Sequence, residues 1–288
     1  MNGKTSQKPD FICLGVPRGG TTWLDKNLRL HPEVFLADKE IHFFISTAEY
    51  DFYRECGYDW YHSYFSEAPD NAIKGEIAIH YLSSDVARER ISRDYDKMRF
   101  ILMLRNPVDR FNSIYELLAG RREFRGSLRE FAEDQRGRNQ LNAGLYYEEI
   151  MKWKAVCPHA EYCIVLQDDI RKDASAVFQR ICRFIGADDS IVPESIFEQV
   201  NEPTSVRSGL VRSAYRKAAM TLSYRRIDWL RKPLKASGLP WVLKQLNKGE
   251  EYRVPLSTED RLWLLDFYGS DIGKLETLMS RDLSSWKA

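Results

Sequence analysis

The sequence has 288 residues, and 43% of them are hydrophobic, which is enough for the core of one large α/β domain or two small ones. Its 43 Lys and Arg residues nearly balance its 42 Asp and Glu residues, so the composition argues against a protein that coats nucleic acid through overall positive charge. Residues 1–10 lack the apolar stretch of a signal peptide, and no run of about eighteen apolar residues is present to span a membrane.

The cysteines indicate a reducing compartment. They number five, with no C-x-x-C spacing. Cys13, Cys163 and Cys182 lie within apolar runs, which is typical of buried thiols. Together with the missing signal peptide, this predicts a cytoplasmic protein.

Along the chain, apolar runs readable as strands alternate with segments of helical periodicity. The predicted strands are Phe11–Val16, Val34–Ala37, Ala72–Ile79, Phe100–Leu104 and Tyr162–Leu166. The predicted helices are Thr21 to about Leu30, Ser83–Tyr95, Pro107–Leu118 and Asn139–Val156. This order predicts an α/β fold, a single domain over residues 1–288 with a central, mostly parallel sheet flanked by helices. Ligands of such sheets bind beyond the carboxyl ends of the strands.

The first predicted strand ends in a Gly-rich turn, Gly15 to Gly20, which leads directly into a helix. Backbone N–H groups of such a turn, with the helix N-terminus, form a cradle for a phosphate-like anion. The spacing is that of a nucleotide P-loop, but Thr21 stands where that motif requires Lys. From this segment alone, an ordinary strand–turn–helix junction remains the alternative.

A second motif follows the fourth predicted strand, which delivers Arg105 to the edge of the sheet. Asn106 is suited to cap the next helix and Pro107 to occupy its first turn. Ser113 lies about two turns further on, on a face that can look back toward Arg105. A guanidinium and a hydroxyl beside a helix start can clasp a phosphate monoester, although an Arg paired with a surface acid and a solvated Ser would fit this motif equally well. In a magnesium-dependent NTPase the comparable strand would end in an acid that holds Mg²⁺, whereas this strand ends in Arg105.

One region differs in charge from the rest. Between Thr204 and Lys248 there are eleven basic residues and one acid, Asp228, with aromatic residues interleaved. The pattern fits either a solvated basic face or an electropositive flap over an anionic substrate, cofactor, carrier or membrane surface.

In combination these motifs resemble the sulfotransferases that use 3′-phosphoadenosine-5′-phosphosulfate (PAPS). Residues 15–22 are similar to the 5′-phosphosulfate loop of that family, and Arg105-x-Pro107-x-x-Arg110-x-x-Ser113 is similar to its 3′-phosphate motif. Residues 39–44 resemble the segment that carries the catalytic base in heparan-sulfate-type members. Residues 248–253 and 281–286 resemble the late cofactor loop and final segment of bacterial members.

The resemblance implies a P-loop-like fold and an enzyme that transfers a sulfuryl group from PAPS to an acceptor hydroxyl, leaving adenosine 3′,5′-bisphosphate and requiring no metal. It implies Glu40 as the base, assisted by His42, with Arg18 as a cation at the reacting group. The residues it implies for binding the donor are Arg18, Gly19, Gly20, Thr21, Thr22, Trp23, Arg105, Ser113, Lys248, Gly249 and Arg253. Without the flanking motifs, a surface acid and a packed imidazole would be the simpler interpretation of Glu40 and His42.

Some positions depart from the family pattern. Arg18 replaces the usual lysine of the first loop and cannot donate a proton as lysine can, which leaves Lys39 as the other candidate acid. Ile77, Ile45 and Thr22 replace charged residues on the acceptor side of glycosaminoglycan enzymes, so heparan sulfate itself is not the expected acceptor. A carbohydrate, a glycolipid or a natural-product alcohol is expected instead.

Two other functions remain open on the sequence. One is a P-loop small-molecule kinase with Asp168 or Asp169 holding Mg²⁺, against which the missing lysine counts. The other is a non-enzymatic protein that binds anionic lipid through residues 204–248.

Overall fold

The structure, a computed structural model, describes residues 8–38, 40–95, 97–198 and 253–288. Lys39, Lys248, Gly249 and the basic stretch 204–248 therefore lie outside the described residues, and the predictions made for them stay predictions.

Five parallel strands form one sheet in the first of two compact units. They are β1 (Phe11–Gly15), β2 (Val34–Leu36), β3 (Ile73–Ile77), β4 (Arg99–Leu104) and β5 (Glu161–Leu166), and they lie in the order β2-β3-β1-β4-β5. Each matches a predicted strand to within two residues at either end. Every residue of β1 is buried, because an uncharged strand at the centre of a parallel sheet is covered on both faces. The predicted α/β class and parallel sheet are confirmed.

The helices between the strands are mostly short. They are α1 (Thr21–Leu28), α2 (Phe52–Glu55), α3 (Gly57–Ser63), α4 (Asp85–Asp94), α5 (Pro107–Gly120), α6 (Leu128–Glu133), α7 (Gln135–Asn142), α8 (Tyr146–Val156), α9 (Gln167–Lys172), α10 (Ala174–Ile185) and α11 (Thr258–Met279), with 3₁₀ turns at Glu194–Phe197 and Ser284–Trp286. Within the described ranges, none of these helices is both long and apolar enough to cross a bilayer.

The single helix predicted over Asn139–Val156 is wrong, because the chain leaves the helical conformation between α7 and α8. A Cβ at Gly144 would lie 2.7 Å from the ring of Tyr268, so the chain passes this ring where only glycine fits. The carboxylate of Asp271 accepts hydrogen bonds from the backbone N–H groups of Tyr147 (3.0 Å) and Glu148 (3.2 Å). The N–H groups in the first turn of a helix have no acceptor within the helix, and Asp271 supplies one for two of them. These bonds therefore fix where α8 begins.

The first compact unit comprises Met1–Arg110, Ala143–Val200 and Leu265–Ala288, and the second comprises Phe111–Asn142 and Asn201–Leu264. In the first unit, the buried face of α10 packs with β1 and β4 in one apolar core, which includes Phe178 and the predicted buried thiols Cys13, Cys163 and Cys182. In the second unit, Phe111 of α5 stacks on Phe131 of α6, with 5.4 Å between ring centroids. That residues 1–288 act as one sulfotransferase domain stays a prediction.

Candidate functional site

The order of the strands reverses at β1. The connection after β1 leads to β2 at one edge of the sheet, whereas the connections after β3 and β4 lead toward the other edge. In open α/β sheets such a reversal creates a crevice beyond the carboxyl ends of the strands. Because all five strands are parallel, the residues that follow them lie along this same edge: Arg18 after β1, Glu40 after β2, His80 after β3 and Arg105 after β4.

The loop after β1 folds back over the end of β4. The N–H of Val16 donates to the carbonyl oxygen of Met103 (2.9 Å), and the N–H of Gly19 donates to the carbonyl oxygen of Val16 (3.0 Å). A Cβ at Gly19 would lie only 2.0 Å from the oxygen of Met103, so the loop can approach the strand this closely only with glycine at that position. The backbone of Arg18 is left-handed, with φ of 67°. The Gly-rich turn is thus folded tightly against the end of β4, and its role as an anion cradle stays a prediction.

Helix α1 begins at Thr21, directly after this loop. Gly20, with φ of 108°, precedes the helix and has no side chain to cap it, and an uncapped helix N-terminus of this kind suits an anion. Thr21 is buried and Thr22 half-buried. The indole of Trp23 instead donates to the carbonyl oxygen of Ile196 (2.9 Å) and lies in the core, so only its backbone can serve an anion.

Arg105 supplies positive charge at the end of β4. Burial lowers the pKa of its guanidinium below the usual value. The negative charge of Asp109 raises this pKa, whereas the positive charges of Arg171 and Arg18 lower it. Its Nε atom is buried, and no acceptor among the described residues bonds it. A buried donor without an acceptor, in a group of like charges, indicates a place for an anion. Arg171, on α9, is a member of this group that the sequence motifs did not identify.

The neighbours of Arg105 in the second motif fulfil their predicted structural roles. The Oδ1 atom of Asn106 accepts from the N–H of Val108 (3.0 Å), and α5 begins at Pro107. Ser113 is buried within α5 and belongs to the second unit, as does Arg253, which is exposed. Their parts in donor binding stay predictions.

Glu40 and His42 lie on the loop after β2. Both have left-handed backbone, with φ of 64° and 60°, and the Oε2 atom of Glu40 lies 3.8 Å from the Nε2 atom of His42. Their side chains are 38% and 27% exposed, so both can meet a ligand. Of the five non-glycine residues with positive φ in the described ranges, three are the predicted catalytic residues Arg18, Glu40 and His42. Such backbone conformations are costly and concentrate at functional sites.

His80 is a member of this site that sequence reasoning missed. Its ring stacks against that of His42, with 6.5 Å between centroids and 22° between planes, and Tyr50 lies 6.0 Å from His42. Burial lowers the pKa of His42 to about 4, helped by the charge of His80. Burial also lowers the pKa of His80 to about 4, helped by the charge of Arg110. Both rings are therefore neutral at pH 7, and a neutral imidazole, unlike an imidazolium, does not weaken a nearby carboxylate as a base.

The loop that carries Glu40 is connected to the buried carboxyl group of Glu76 through hydrogen bonds. Glu76 on β3 accepts hydrogen bonds from the hydroxyls of Tyr61 (2.6 Å) and Tyr81 (2.7 Å), and burial raises its pKa to about 7. The hydroxyl oxygen of Tyr81 in turn accepts from the N–H of Phe44 (3.4 Å). Glu76 therefore holds the loop in place rather than facing a ligand.

The predicted acceptor-side residues differ in exposure. Ile77 and Ile45 are buried and present no charge to a ligand. The sequence also carries an aromatic stretch at Trp60, Tyr61, Tyr64 and Phe65 that could stack on a sugar ring or pack in the core. Trp60, Tyr61 and Phe65 pack in the core, and Tyr64 is half-buried, so packing is the role of most of this stretch.

The acids after β5 are already engaged. Asp169 accepts from both terminal nitrogens of Arg281, and Asp168 accepts from the indole N–H of Trp286 (2.7 Å). Neither carboxylate is placed as the open Mg²⁺ ligand that a kinase requires, so this alternative is not favoured.

Comparison with known proteins agrees with this geometry. Residues 8–225 match a family model described as the sulfotransferase domain. The chain is 28% identical over 184 residues to heparan sulfate glucosamine 3-O-sulfotransferase 6 of Homo sapiens, covering 62% of this chain and 52% of that protein. It is 24% identical over 195 residues to heparan sulfate glucosamine 3-O-sulfotransferase 5 of Mus musculus, covering 64% and 55%. The chain thus spans about half the length of the curated relatives it matches.

A crystal structure of a sulfotransferase from Alicyclobacillus acidocaldarius matches with a TM-score of 0.69, over 98% of this chain and 99% of that chain. The two sequences are 21% identical. At that identity the likeness establishes the fold alone, and it confirms the predicted sulfotransferase-type α/β architecture.

The first prediction concerns the cradle. Gly19→Ala is expected to lower the free energy of unfolding by about 1–3 kcal/mol and to weaken binding of adenosine 3′,5′-bisphosphate at least about tenfold, because the new Cβ displaces the loop from the end of β4. Gly273→Ala, at a helical position with open space around the glycine, is the control and should leave binding unchanged. Denaturant unfolding and calorimetry measure both, and unchanged binding in Gly19→Ala would contradict the assignment of the cradle.

The second prediction concerns pH. A histidine whose pKa is lowered to about 4 on folding costs stability as the pH falls from 6.5 to 4, because the unfolded state binds the proton more readily. His80→Leu should therefore gain stability relative to wild type over that interval. Glu76→Gln should respond to pH in the opposite direction. Wild type loses stability as the pH rises from 4.5 through about 7, because its buried carboxyl must then ionise, so Glu76→Gln gains stability relative to wild type over that interval. Urea unfolding at pH 5, 6 and 7.5 measures both, and parallel pH profiles for the three proteins would refute the prediction.

Proposed function

The chain belongs to the sulfotransferase domain family, and we propose that it transfers a sulfuryl group from PAPS to the hydroxyl group of an acceptor. The observation that carries this proposal is the pairing, at one sheet edge, of the glycine cradle of residues 15–20 with the half-buried guanidinium of Arg105, whose Nε atom has no acceptor among the described residues. Two separate anion-binding features suit a nucleotide that carries phosphate at both its 5′ and 3′ positions.

The residues present fit this donor. The N-terminus of α1, which has no side-chain cap, would hold the 5′-phosphosulfate together with the hydroxyls of Thr21 and Thr22. Arg105 would hold the 3′-phosphate, and the part of Ser113, Lys248, Gly249 and Arg253 in binding the donor stays a prediction from the sequence. When bound, the donor supplies the sulfuryl group, whose bond to the 5′-phosphate breaks as the acceptor oxygen attacks.

Arg18 would stabilise negative charge as it develops on the leaving 5′-phosphate. Its guanidinium remains charged at any physiological pH, so it can neutralise this oxygen but cannot protonate it. Stabilising the leaving charge in a partly dry site is the kind of contribution that lowers a transfer barrier most.

Glu40 would take the proton from the acceptor hydroxyl. Its carboxylate is partly exposed and lies beside His42, which is neutral at pH 7, so Glu40 can contact an acceptor and this imidazole does not reduce its basicity. His42 would orient the hydroxyl, since a neutral imidazole can both donate and accept a hydrogen bond. Stacking against His80 and contact with Tyr50 hold the imidazole in place.

The acceptor is proposed to be a carbohydrate-type hydroxyl. The relatives named above act, by their names, on glucosamine of heparan sulfate, which supports a sugar acceptor. The buried apolar side chains of Ile45 and Ile77, and the neutral rings of His42 and His80, favour an acceptor less charged than heparan sulfate. A neutral glycan, a glycolipid or a natural-product alcohol fits this description.

Two predictions from the sequence remain without a test. One is the cytoplasmic location, and the other is the contact of residues 204–248 with an anionic membrane or carrier. A non-enzymatic lipid binder is not favoured, because it leaves the cradle and the residues around Glu40 without a role.

Glu40→Gln is expected to bind adenosine 3′,5′-bisphosphate within about twofold of wild type and to lose turnover by about 10²- to 10⁴-fold, because only proton removal is affected. Transfer of labelled sulfate from PAPS to a panel of glycans, lipids and phenols measures turnover. Glu49→Gln, at an exposed carboxylate nearby, should retain activity. Normal turnover in Glu40→Gln would remove the base assignment.

Arg105→Ala is expected to weaken binding of adenosine 3′,5′-bisphosphate by about 10- to 100-fold, the effect of losing a charged hydrogen-bond partner. Binding of adenosine 5′-monophosphate, which lacks the 3′-phosphate, should change little. Arg93→Ala, at an exposed surface arginine, is the matched control. Equal losses for both nucleotides in calorimetry would argue against Arg105 as the 3′-phosphate ligand.

A further inference from the structure

Residues 281–286, called here the clamp segment, follow α11 and attach to the same sheet edge as the candidate site. Arg281 forms a bidentate ion pair with Asp169 at the start of α9. The N–H of Leu283 donates to the Oε1 atom of Glu276 (2.8 Å), and the side chain of Leu283 is buried. The segment is therefore tied both to α9 and to the end of α11.

Trp286 is deeply buried, with 2% of its surface exposed. Its indole N–H donates to the Oδ2 atom of Asp168 (2.7 Å), and its ring lies 6.3 Å from that of Tyr146. Its carbonyl oxygen accepts from the Nδ2 atom of Asn106 (3.4 Å). One residue thus joins the start of α9 to the residue that directly follows Arg105.

These contacts hold the carbonyl group of Arg105 and the side chain of the residue that follows it. The hydroxyl of Tyr146 donates to the carbonyl oxygen of Arg105 (2.8 Å), and Asn106 is held by Trp286 through its Nδ2 atom while its Oδ1 atom caps α5. The Nε atom of Arg105, in contrast, has no acceptor within the part of the chain that the structure describes. A fixed backbone that carries an unsatisfied guanidinium is a preorganised anion ligand, because the ordering that would otherwise oppose binding has already occurred.

The clamp segment also bonds two acids near the site. Asp168 and Asp169 occupy the first turn of α9, the helix whose Arg171 acts electrostatically on Arg105 and lies 3.5 Å from Asp168. Arg281 neutralises Asp169, and the indole N–H of Trp286 adds a hydrogen bond to Asp168, so these carboxylates repel an approaching phosphate less.

We propose that the clamp segment, through Trp286 and Arg281, positions Arg105 for the 3′-phosphate of the donor. This inference rests on the proposed function, since it assigns a support to one of its binding contacts. Trp286 and Arg281 are positioning residues, which act through Arg105 and Asn106 rather than by touching the nucleotide.

The test compares two nucleotides that differ only in the 3′-phosphate. In Trp286→Phe, which removes the indole N–H and keeps an aromatic ring, the affinity for adenosine 3′,5′-bisphosphate is expected to fall about fivefold, the effect of one lost hydrogen bond. The affinity for adenosine 5′-monophosphate should stay within about twofold. The KM for PAPS should rise while kcat is retained. Ser285→Ala, at the exposed neighbouring position, should match wild type in every measurement.

Arg281→Met provides a second variant, because Arg281 is only partly buried and its loss is less disruptive to folding. It should show the same selective loss for the 3′-phosphorylated nucleotide, and thermal unfolding confirms that each variant is folded. Equal losses for both nucleotides in the folded variants, or no loss in either variant, would overturn the positioning role. If wild type itself bound no adenosine 3′,5′-bisphosphate, the proposed function would fail as well, so the two failures are distinguishable.

Discussion

The candidate site depends on the contact between the loop after β1 and the end of β4. Gly19 passes the carbonyl oxygen of Met103 so closely that no side chain fits, and the N–H of Val16 bonds that same oxygen. This contact brings the cradle before α1 next to the strand that ends in Arg105. Had the loop stood away from β4, the two anion-binding features would lie on separate strands without a common ligand. Parallel strand order places the features at one edge, and glycine brings them within reach of one molecule.

The candidate site contains both cations and acids that already have partners. The positive charges of Arg171 and Arg18 lower the pKa of Arg105, while Asp168 and Asp169 are bonded to Trp286 and Arg281. Around Glu40 the neighbouring imidazoles are neutral. One part of the site is thus suited to binding anions and the other to removing a proton. A single uniformly basic pocket would serve the first task and impair the second.

Much of the fold was predictable because its signals are local. Strands β1 and β4 are uninterrupted apolar runs, and Asn106-Pro107 marks a helix start, so their positions follow from sequence patterns. The break at Gly144 was not predictable in this way, since it depends on the ring of Tyr268 from a distant segment. His80 was missed for the same reason: it follows β3 without any motif, and only the fold stacks its ring on His42. Likewise, nothing local to Asp168 reveals that Trp286 bonds it.

The late position of Arg281 and Trp286 in the chain has a consequence for biosynthesis. A ribosome that has delivered all five strands has not yet delivered Arg281 and Trp286, which lie more than a hundred residues beyond Asp169 and Asp168. The sheet can assemble while the nascent protein is still emerging, but the edge that carries the candidate site then lacks the bonds that Arg281 and Trp286 make to these two acids. We expect the growing polypeptide to acquire its full affinity for the proposed donor only after residues 281–286 have been synthesised.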